Sequence, residues 1–218
     1  MATIQVPAGG VRLHGELTVP NNSAGIVLFA HGSGSSRFSS RNQFVARALE
    51  QRGLATLLID LLTPDEEALD QHTAHIRFDI PLLARRLVAI VDWLKTHPPT
   101  VPLKIGLFGA STGGGAALMA AAARPNQIGA VVSRGGRPDL AGEALGHVMA
   151  PTLLIVGGAD TPVISMNREA MGRMRGIVSL EIVPGATHLF EEAGALQRVA
   201  QLAADWFNRH LYSTSAAA

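Results

Sequence analysis

Short apolar runs alternate with helical patterns along almost the whole chain. Six of these runs contain few polar residues, as is typical of strands buried on both faces of a parallel sheet. They span residues 26–30, 55–59, 103–108, 128–132, 152–156 and 177–183. Apolar residues at helical spacing lie between most of them and after the last, at 44–49, 80–94, 116–123 and 196–207. This alternation predicts an α/β fold with a doubly wound, mostly parallel sheet.

The N-terminal residues follow a different pattern. Residues 11–19 alternate between apolar and polar side chains, and a Gly9-Gly10 turn can join them to residues 3–6. This pattern predicts an antiparallel hairpin at one edge of the sheet. No repeat or linker divides the chain, so we expect one domain over residues 1–212 and a short tail, frayed or appended, at 213–218. The acidic stretch 63–75 is predicted to be a long irregular loop, and no separate lid domain is expected.

Composition narrows the classes of function. The 218 residues have a net charge of only +1, a hydrophobic content of 47% and no cysteine. Scattered charges argue against nucleic-acid and membrane binding, and neither a secretory pattern nor a long apolar span is present. The lack of cysteine excludes disulfides, thiolate catalysis and cysteine-ligated zinc. We expect a cytoplasmic monomer or homodimer that acts on a small molecule without a metal or other cofactor.

A candidate nucleophile lies at the end of the third buried run. Gly109-Ala110-Ser111-Thr112-Gly113 is a G-x-S-x-G pattern between a strand pattern and a helix pattern. In this context the pattern is typical of a sharp turn that lifts a serine hydroxyl above the end of the sheet. A hydroxyl is a weak nucleophile near neutral pH unless an imidazole accepts its proton and a carboxylate orients that imidazole.

The partners of Ser111 are sought in loops that follow other strands. His188 follows the last apolar run and Asp160 follows the one before it, so both are expected at the same sheet edge as Ser111. The chain order Ser, Asp, His is that of an α/β-hydrolase. His210 is a weaker candidate base because it falls in the last turn of the terminal helix. Asp139 competes with Asp160, and either could instead cap the following helix; Asp160 is preferred because its strand directly precedes that of His188.

An oxyanion needs two preorganised backbone N–H groups. Thr112 follows the nucleophile, and Ser33 lies in the glycine-rich loop after the first buried run, so these two residues are the predicted donors. Together these residues predict a hydrolase that cleaves small, soluble carboxylic esters through an acyl-enzyme on Ser111.

The same loops contain candidates for contacts with the substrate. They are His31, Arg37, Arg77, Arg134 and Arg137. Arginine binds carboxylates and phosphates through two parallel hydrogen bonds, so the four arginines favour an anionic substrate. The alternative is that they pair with nearby aspartates and glutamates and only hold the loops in place.

Four motifs resemble the small, lidless dienelactone-hydrolase-like branch of the α/β-hydrolases. They are HGSGSS at 31–36, GASTG at 109–113, SRGGRPDL at 133–140 and GATHLF at 185–190. The resemblance implies an α/β-hydrolase fold over about residues 10–211, with Ser111 as nucleophile, Asp160 as acid and His188 as base. Ser111 stands where dienelactone hydrolases have a cysteine. Some relatives in this branch are joined to a phosphoribosyltransferase domain.

Two other classes of function stay open at this point. Residues 26–60 resemble a dinucleotide-binding unit, with a glycine loop at 31–36 and Asp60 after the second strand, but the third glycine of that motif is missing. A non-catalytic binding module could also use a hydrolase fold. A metal site is not expected, because the spacing of the acidic and histidine residues in the 63–75 stretch fits no zinc signature. These residues are Asp65, Glu66, Asp70, His72 and His75.

Overall fold

The computed structural model describes residues 1–212, which form an eight-stranded sheet with helices on both faces. The strands are β1 (Ala2–Ala8), β2 (Val11–Thr18), β3 (Gly25–Ala30), β4 (Ala55–Ile59), β5 (Lys104–Ala110), β6 (Ile128–Arg134), β7 (Thr152–Gly157) and β8 (Val178–Val183). The helices are α1 (Ser40–Gln51), α2 (Pro64–Thr73), α3 (Ile80–Leu94), α4 (Thr112–Ala123), α5 (Thr161–Arg173) and α6 (Ala195–Leu211). Short 3-10 segments span Ile76–Phe78 and Pro138–His147. The predicted tail at 213–218 lies outside the described residues.

The order of the strands places β5 near the middle of the sheet. The order is β1-β2-β4-β3-β5-β6-β7-β8, and β3 to β8 pair in parallel while β1 and β2 pair antiparallel. The predicted doubly wound sheet with an antiparallel N-terminal edge is therefore confirmed. Because β3 to β8 run in the same direction, the loops after their carboxyl ends collect along one edge, which is where such sheets bind ligands.

Two separate apolar cores hold the helices against the sheet. One core packs α3 and α4 on one face, and the other packs α1 and α6 on the opposite face. At Gly113 in α4, a Cβ atom would lie 2.6 Å from the carbonyl oxygen of His31 and still closer to that of Ala30. Only glycine lets the first turn of α4 lie this close to the end of β3. None of the helices within residues 1–212 is both long and apolar enough to span a bilayer.

Most of the stretch 63–75 forms the helix α2 (Pro64–Thr73) rather than the predicted irregular loop. Thr63 caps α2 by accepting the N–H of Glu66 at 3.2 Å, and the Glu66 carboxylate accepts the N–H of Thr63 at 2.8 Å. Pro64 is in the first turn, where its missing N–H costs nothing. This reciprocal capping is a sequence signal for a helix start. The prediction was wrong because α2 lacks an apolar stripe, so hydrophobic periodicity gives no sign of it.

Candidate active site

Ser111 occupies a strained turn between β5 and α4. Its backbone has φ 50° and ψ −123°, a region that residues with a Cβ atom rarely adopt. The N–H of Ser111 donates to the carbonyl of Arg134 at 3.2 Å, and its own carbonyl accepts the N–H groups of Gly114 at 2.9 Å and Arg137 at 3.0 Å. These hydrogen bonds fix the turn, and they tie Ser111 to the loop that follows β6.

The side chains of Asp160, His188 and Ser111 form a continuous chain of contacts. Asp160 Oδ2 lies 2.7 Å from His188 Nδ1, and His188 Nε2 lies 3.4 Å from Ser111 Oγ. The carboxylate therefore favours the imidazole tautomer with its proton on Nδ1, which leaves the Nε2 lone pair facing the hydroxyl. The longer second distance is usual for catalytic groups without a bound substrate.

Neighbouring loops hold Asp160 and His188 together. Gly158 N–H donates to the carbonyl of Val183 at 2.8 Å, and Ala159 N–H donates to that of Ala186 at 2.9 Å, so the loop after β7 is bonded to the loop after β8. Asp160 directly precedes α5 in the N-cap position, but its side chain forms no capping hydrogen bond. Its carboxylate is thus available to His188, which differs from the alternative interpretation of Asp160 as a cap.

Gly135 is a residue of the site that sequence reasoning did not single out. It has φ 50°, and a Cβ atom there would lie 3.5 Å from both Cε1 and Nδ1 of His188 and 3.2 Å from its carbonyl oxygen. The loop after β6 therefore packs directly against the imidazole. The glycine pair at 135–136, immediately after a buried run, was the available signal, since such pairs mark turns with positive φ.

The two predicted oxyanion donors lie side by side. Thr112 is the first residue of α4, where N–H groups have no acceptor within the helix. The N–H of Ser33 already has an acceptor within the protein, because it donates to Thr112 Oγ1 at 2.9 Å. An oxyanion formed at Ser111 would have to take the place of the Thr112 hydroxyl as the acceptor for Ser33.

Three of the four predicted substrate-binding arginines pair with carboxylates of their own. Arg37 pairs with Asp60, Arg77 with Asp70 and Arg137 with Asp139. These ion pairs fit the alternative in which the arginines hold the loops in place, and a substrate contact by the same three side chains stays a prediction. The pairs also occupy Asp139, the competing candidate acid, and Asp60, the expected ribose ligand of a dinucleotide site.

His31 is also engaged within the protein. It is 8% exposed, its Nε2 accepts the N–H of Leu61 at 3.0 Å, and its Nδ1 lies 2.9 Å from the carbonyl of Gly32. Burial lowers the pKa of His31 below its usual value of 6.5, against smaller opposite effects from Gly32, Asp60 and Glu67. Both ring nitrogens have partners within the protein, which gives His31 a structural role, and a substrate contact by His31 stays a prediction.

Arg134 is the predicted arginine that does reach the site. It lines a cavity of about 240 Å³ together with Ser111 and His188, and it is 7% exposed. Burial, with a smaller effect of the Arg41 charge, lowers the pKa of Arg134 to about 10, so it remains charged at neutral pH. Arg41 and Asn42 of α1 line the same cavity and were missed, because their distance from any motif gave no reason to choose them.

The acidic and histidine residues of the described chain were also compared with the requirements of a metal site. Within the described part of the chain, no group of three or more histidines, aspartates and glutamates is placed to hold a metal ion. Two of the four acidic residues in α2 form ion pairs: Glu66 pairs with Arg86, and Asp70 pairs with Arg77. These ion pairs lower the pKa of both carboxyl groups, against the opposite effect of burial.

The fold and the strained serine turn define the class of protein as an α/β hydrolase of the esterase type. The family model described as the dienelactone hydrolase family matches residues 13–215, and the chain belongs to this family. A solved dienelactone hydrolase from Anabaena variabilis is 62% identical, with a TM-score of 0.95, over 96% of this chain and 97% of that one. Est1E from Butyrivibrio proteoclasticus is 17% identical, with a TM-score of 0.79 over 96% and 98% of the two chains, which shows the shared fold.

A curated relative carries a different name. A putative phosphoribosyl transferase of Mycobacterium tuberculosis is 58% identical over 208 residues. The match covers 95% of this chain but 46% of that protein, so the chain spans about half the length of this relative. The family model that matches this chain is that of a hydrolase family.

Proposed function

We propose that this protein is a serine hydrolase that cleaves carboxylic esters of small, soluble substrates through an acyl-enzyme. The observation that carries the proposal is the chain of contacts from Asp160 through His188 to Ser111, with separations of 2.7 Å and 3.4 Å. Family membership supports ester hydrolysis in general. The strained backbone of Ser111 supports a catalytic role for this side chain, since strain is commonly stored at functional sites.

The proposed reaction has two halves. Ser111 Oγ attacks the ester carbonyl carbon while its proton passes to His188 Nε2, and Asp160 stabilises the imidazolium that forms. The tetrahedral oxyanion is held by the N–H groups of Thr112 and Ser33, the latter released from the Thr112 hydroxyl. The C–O bond to the alcohol then breaks and the alcohol takes the proton from His188. A water molecule repeats these steps on the acyl-enzyme and releases the acid.

The size of the cavity beside Ser111 supports small substrates. Its volume of about 240 Å³ lies below the range of about 300–1,000 Å³ that is usual for drug-sized ligands. Polar and charged side chains, including Arg41, Asn42 and Arg134, form much of its wall. Such a lining favours short and polar ester substrates over long lipids.

Hydrolysis of p-nitrophenyl acetate tests the proposal. We expect Ser111→Ala to reduce kcat by about 10³-fold or more, because the nucleophile is lost while the fold is kept. A fluorophosphonate probe should label the wild-type protein at Ser111 and leave the variant unlabelled. Equal rates for the two proteins, or labelling elsewhere, would overturn the proposal. Tight binding of NADH that depends on Asp60 would favour the dinucleotide alternative instead.

A further inference from the structure

Arg134 lies at the centre of the site yet takes no part in the proposed reaction. It is the last residue of β6, its backbone pairs with Ala110 of β5, and its carbonyl accepts the N–H of Ser111. Its side chain lines the cavity that also contains Ser111 and His188, and more than nine-tenths of its surface is buried. Burying an unpaired guanidinium is unfavourable, because removing a charge from water is costly unless the charge is paired.

The guanidinium of Arg134 has no counter-charge in the described residues. No carboxylate oxygen lies within 4.0 Å of it there, and its hydrogen bond is a long one of 3.4 Å from Nη2 to Asn42 Oδ1. Its buried Nε has no acceptor among residues 1–212. The guanidinium also lies over the aromatic ring of Phe190, with Arg134 Cζ 5.9 Å from the ring centroid. By contrast, Arg37, Arg77 and Arg137 each hold a carboxylate.

A second cation faces the same cavity. Arg41 lies in the first turn of α1, and its Nε is also buried without an acceptor. Its one ion pair, with Glu191, spans 3.3 Å, and the Glu191 side chain is 66% exposed, so solvent weakens the pairing. Among the described residues, two arginine charges therefore meet at one small cavity with a single weak counter-charge.

The start of α1 adds further groups that favour an anion. Ser39 caps the helix, and Ser39, Arg41 and Asn42 all line the cavity. The first turn contains no acidic residue, so nothing in it neutralises the positive end of the helix dipole. Helix starts of this kind bind phosphates when they are combined with cationic side chains. Hydroxyls of Ser35 and Ser39 supply additional donors at the cavity wall.

We propose that Arg134, Arg41 and the start of α1 form a binding site for a phosphate group on the ester that Ser111 attacks. This inference rests on the proposed function and names its substrate class as phosphorylated small esters. A dianionic tetrahedral group matches two guanidinium charges and the excess of donors around the cavity. A carboxylate has two oxygens and one charge, and would leave part of this donor set unused.

Binding of inorganic phosphate tests the site without catalysis. The Ser111→Ala variant is titrated with phosphate, and separately with acetate, at constant ionic strength, and its Tm is recorded. We expect phosphate to raise the Tm in a saturable way and acetate to have a much smaller effect, since only phosphate engages both arginines. In the Ser111→Ala background, the additional substitution Arg134→Gln is expected to weaken phosphate binding at least tenfold. Equal effects of both anions, or a larger effect of acetate, would overturn the proposal.

A matched arginine variant controls for general charge effects. Arg124 pairs with Asp92 away from the cavity, and Arg124→Gln is expected to leave phosphate binding unchanged. If Arg134→Gln does not fold, Arg41→Gln carries the test, because its side chain is one-third exposed. We expect Arg41→Gln to weaken phosphate binding several-fold. An effect of Arg124→Gln as large as that of Arg41→Gln would count against a specific site.

Matched substrates connect the site to the reaction. The p-nitrophenyl ester of phosphoglycolic acid is compared with that of methoxyacetic acid, which has no charge. We expect wild-type kcat/KM to be at least tenfold higher for the phosphorylated ester, and Arg41→Gln to abolish most of this ratio. Equal kcat/KM values would overturn the proposal but not the ester hydrolase. Phosphate binding without any Ser111-dependent hydrolysis would instead overturn the hydrolase and leave the phosphate site standing.

Discussion

The N–H of Leu61 donates to Nε2 of His31 at 3.0 Å, which joins the loop after β4 to the loop after β3. Since Nε2 is the acceptor, the ring proton lies on Nδ1, facing the carbonyl oxygen of Gly32 at 2.9 Å. A second proton on the ring would break the bond to Leu61. The neutral imidazole is thus part of the structure that supports the Ser33 loop.

This arrangement predicts a specific loss of stability in acid. The native pKa of His31 is lowered by burial, so below about pH 6.5 the unfolded chain binds a proton that the native protein does not. The stabilisation by His31 is complete above that pH and decreases as the pH falls toward the native pKa, by at most about 1.4 kcal/mol per pH unit. Urea unfolding at pH 7.5, 6.5 and 5.5 measures this slope.

The variant His31→Gln isolates the contribution of one residue. Its amide oxygen can accept the N–H of Leu61 but does not titrate. We expect His31→Gln to be less stable than the wild type at pH 7.5 and to lose less free energy of unfolding on going to pH 5.5. Parallel pH profiles for the two proteins would show that His31 does not titrate as the structure requires.

The backbone of Ser111 predicts a difference between two inactive variants. Ser111→Ala and Ser111→Gly both remove the hydroxyl, but alanine keeps the Cβ atom that is strained at φ 50°. We expect Ser111→Gly to be more stable than Ser111→Ala by about 1 kcal/mol, because the relief of backbone strain exceeds the cost of glycine's added freedom in the unfolded chain. Urea unfolding of both variants checks this. A more stable Ser111→Ala would argue against strain at the turn.

The fold was predictable because its signals are local and repeated. Each buried run from residue 26 onward became a strand, and placing Ser111, Asp160 and His188 at one edge required only that these strands be parallel. The identity of the acid could not be decided from sequence alone, since Asp139 and Asp160 both follow strands. The difference is geometric: Asp139 turns to Arg137 two residues away, whereas the Asp160 carboxylate reaches His188.

The contacts of the arginines could not be predicted from the sequence for a related reason. Arg37 and Arg134 look alike in a motif, yet one meets Asp60 and the other meets no carboxylate in the described residues. The partner of each arginine depends on which side chains converge at the edge of the sheet. Local sequence patterns do not contain this information. Arg41 reaches the cavity only because α1 begins beside it.

The two candidate acids can be separated by matched variants. We expect Asp160→Asn to reduce kcat for p-nitrophenyl acetate by about 10³- to 10⁴-fold, because an amide neither stabilises the imidazolium nor holds the correct tautomer of His188. Asp139→Asn breaks only a half-exposed pair with Arg137 and is expected to leave kcat largely unchanged. Comparable losses in both variants, or a larger loss for Asp139→Asn, would contradict the assignment of Asp160.

The close approach of α4 to β3 predicts opposite effects for two Gly→Ala substitutions in helices. A Cβ atom at Gly113 meets the backbone carbonyls of Ala30 and His31, which cannot move without disturbing the central sheet, so Gly113→Ala is expected to lower the free energy of unfolding by at least about 3 kcal/mol. At Gly172 in α5, a Cβ atom would have no neighbour within 4 Å, and Gly172→Ala is expected to raise the free energy of unfolding by about 0.5–1 kcal/mol through helix propensity.

Urea unfolding, with circular dichroism as the signal, measures both changes under the same conditions. If Gly113→Ala does not fold, it is expected to be recovered only as aggregate while Gly172→Ala is soluble. That result also ranks Gly113→Ala as the less stable variant. A Gly113→Ala protein as stable as the wild type would mean that α4 can move away from β3. Because Ser111 directly precedes that helix, such freedom would also remove the rigid turn on which the proposed chemistry depends.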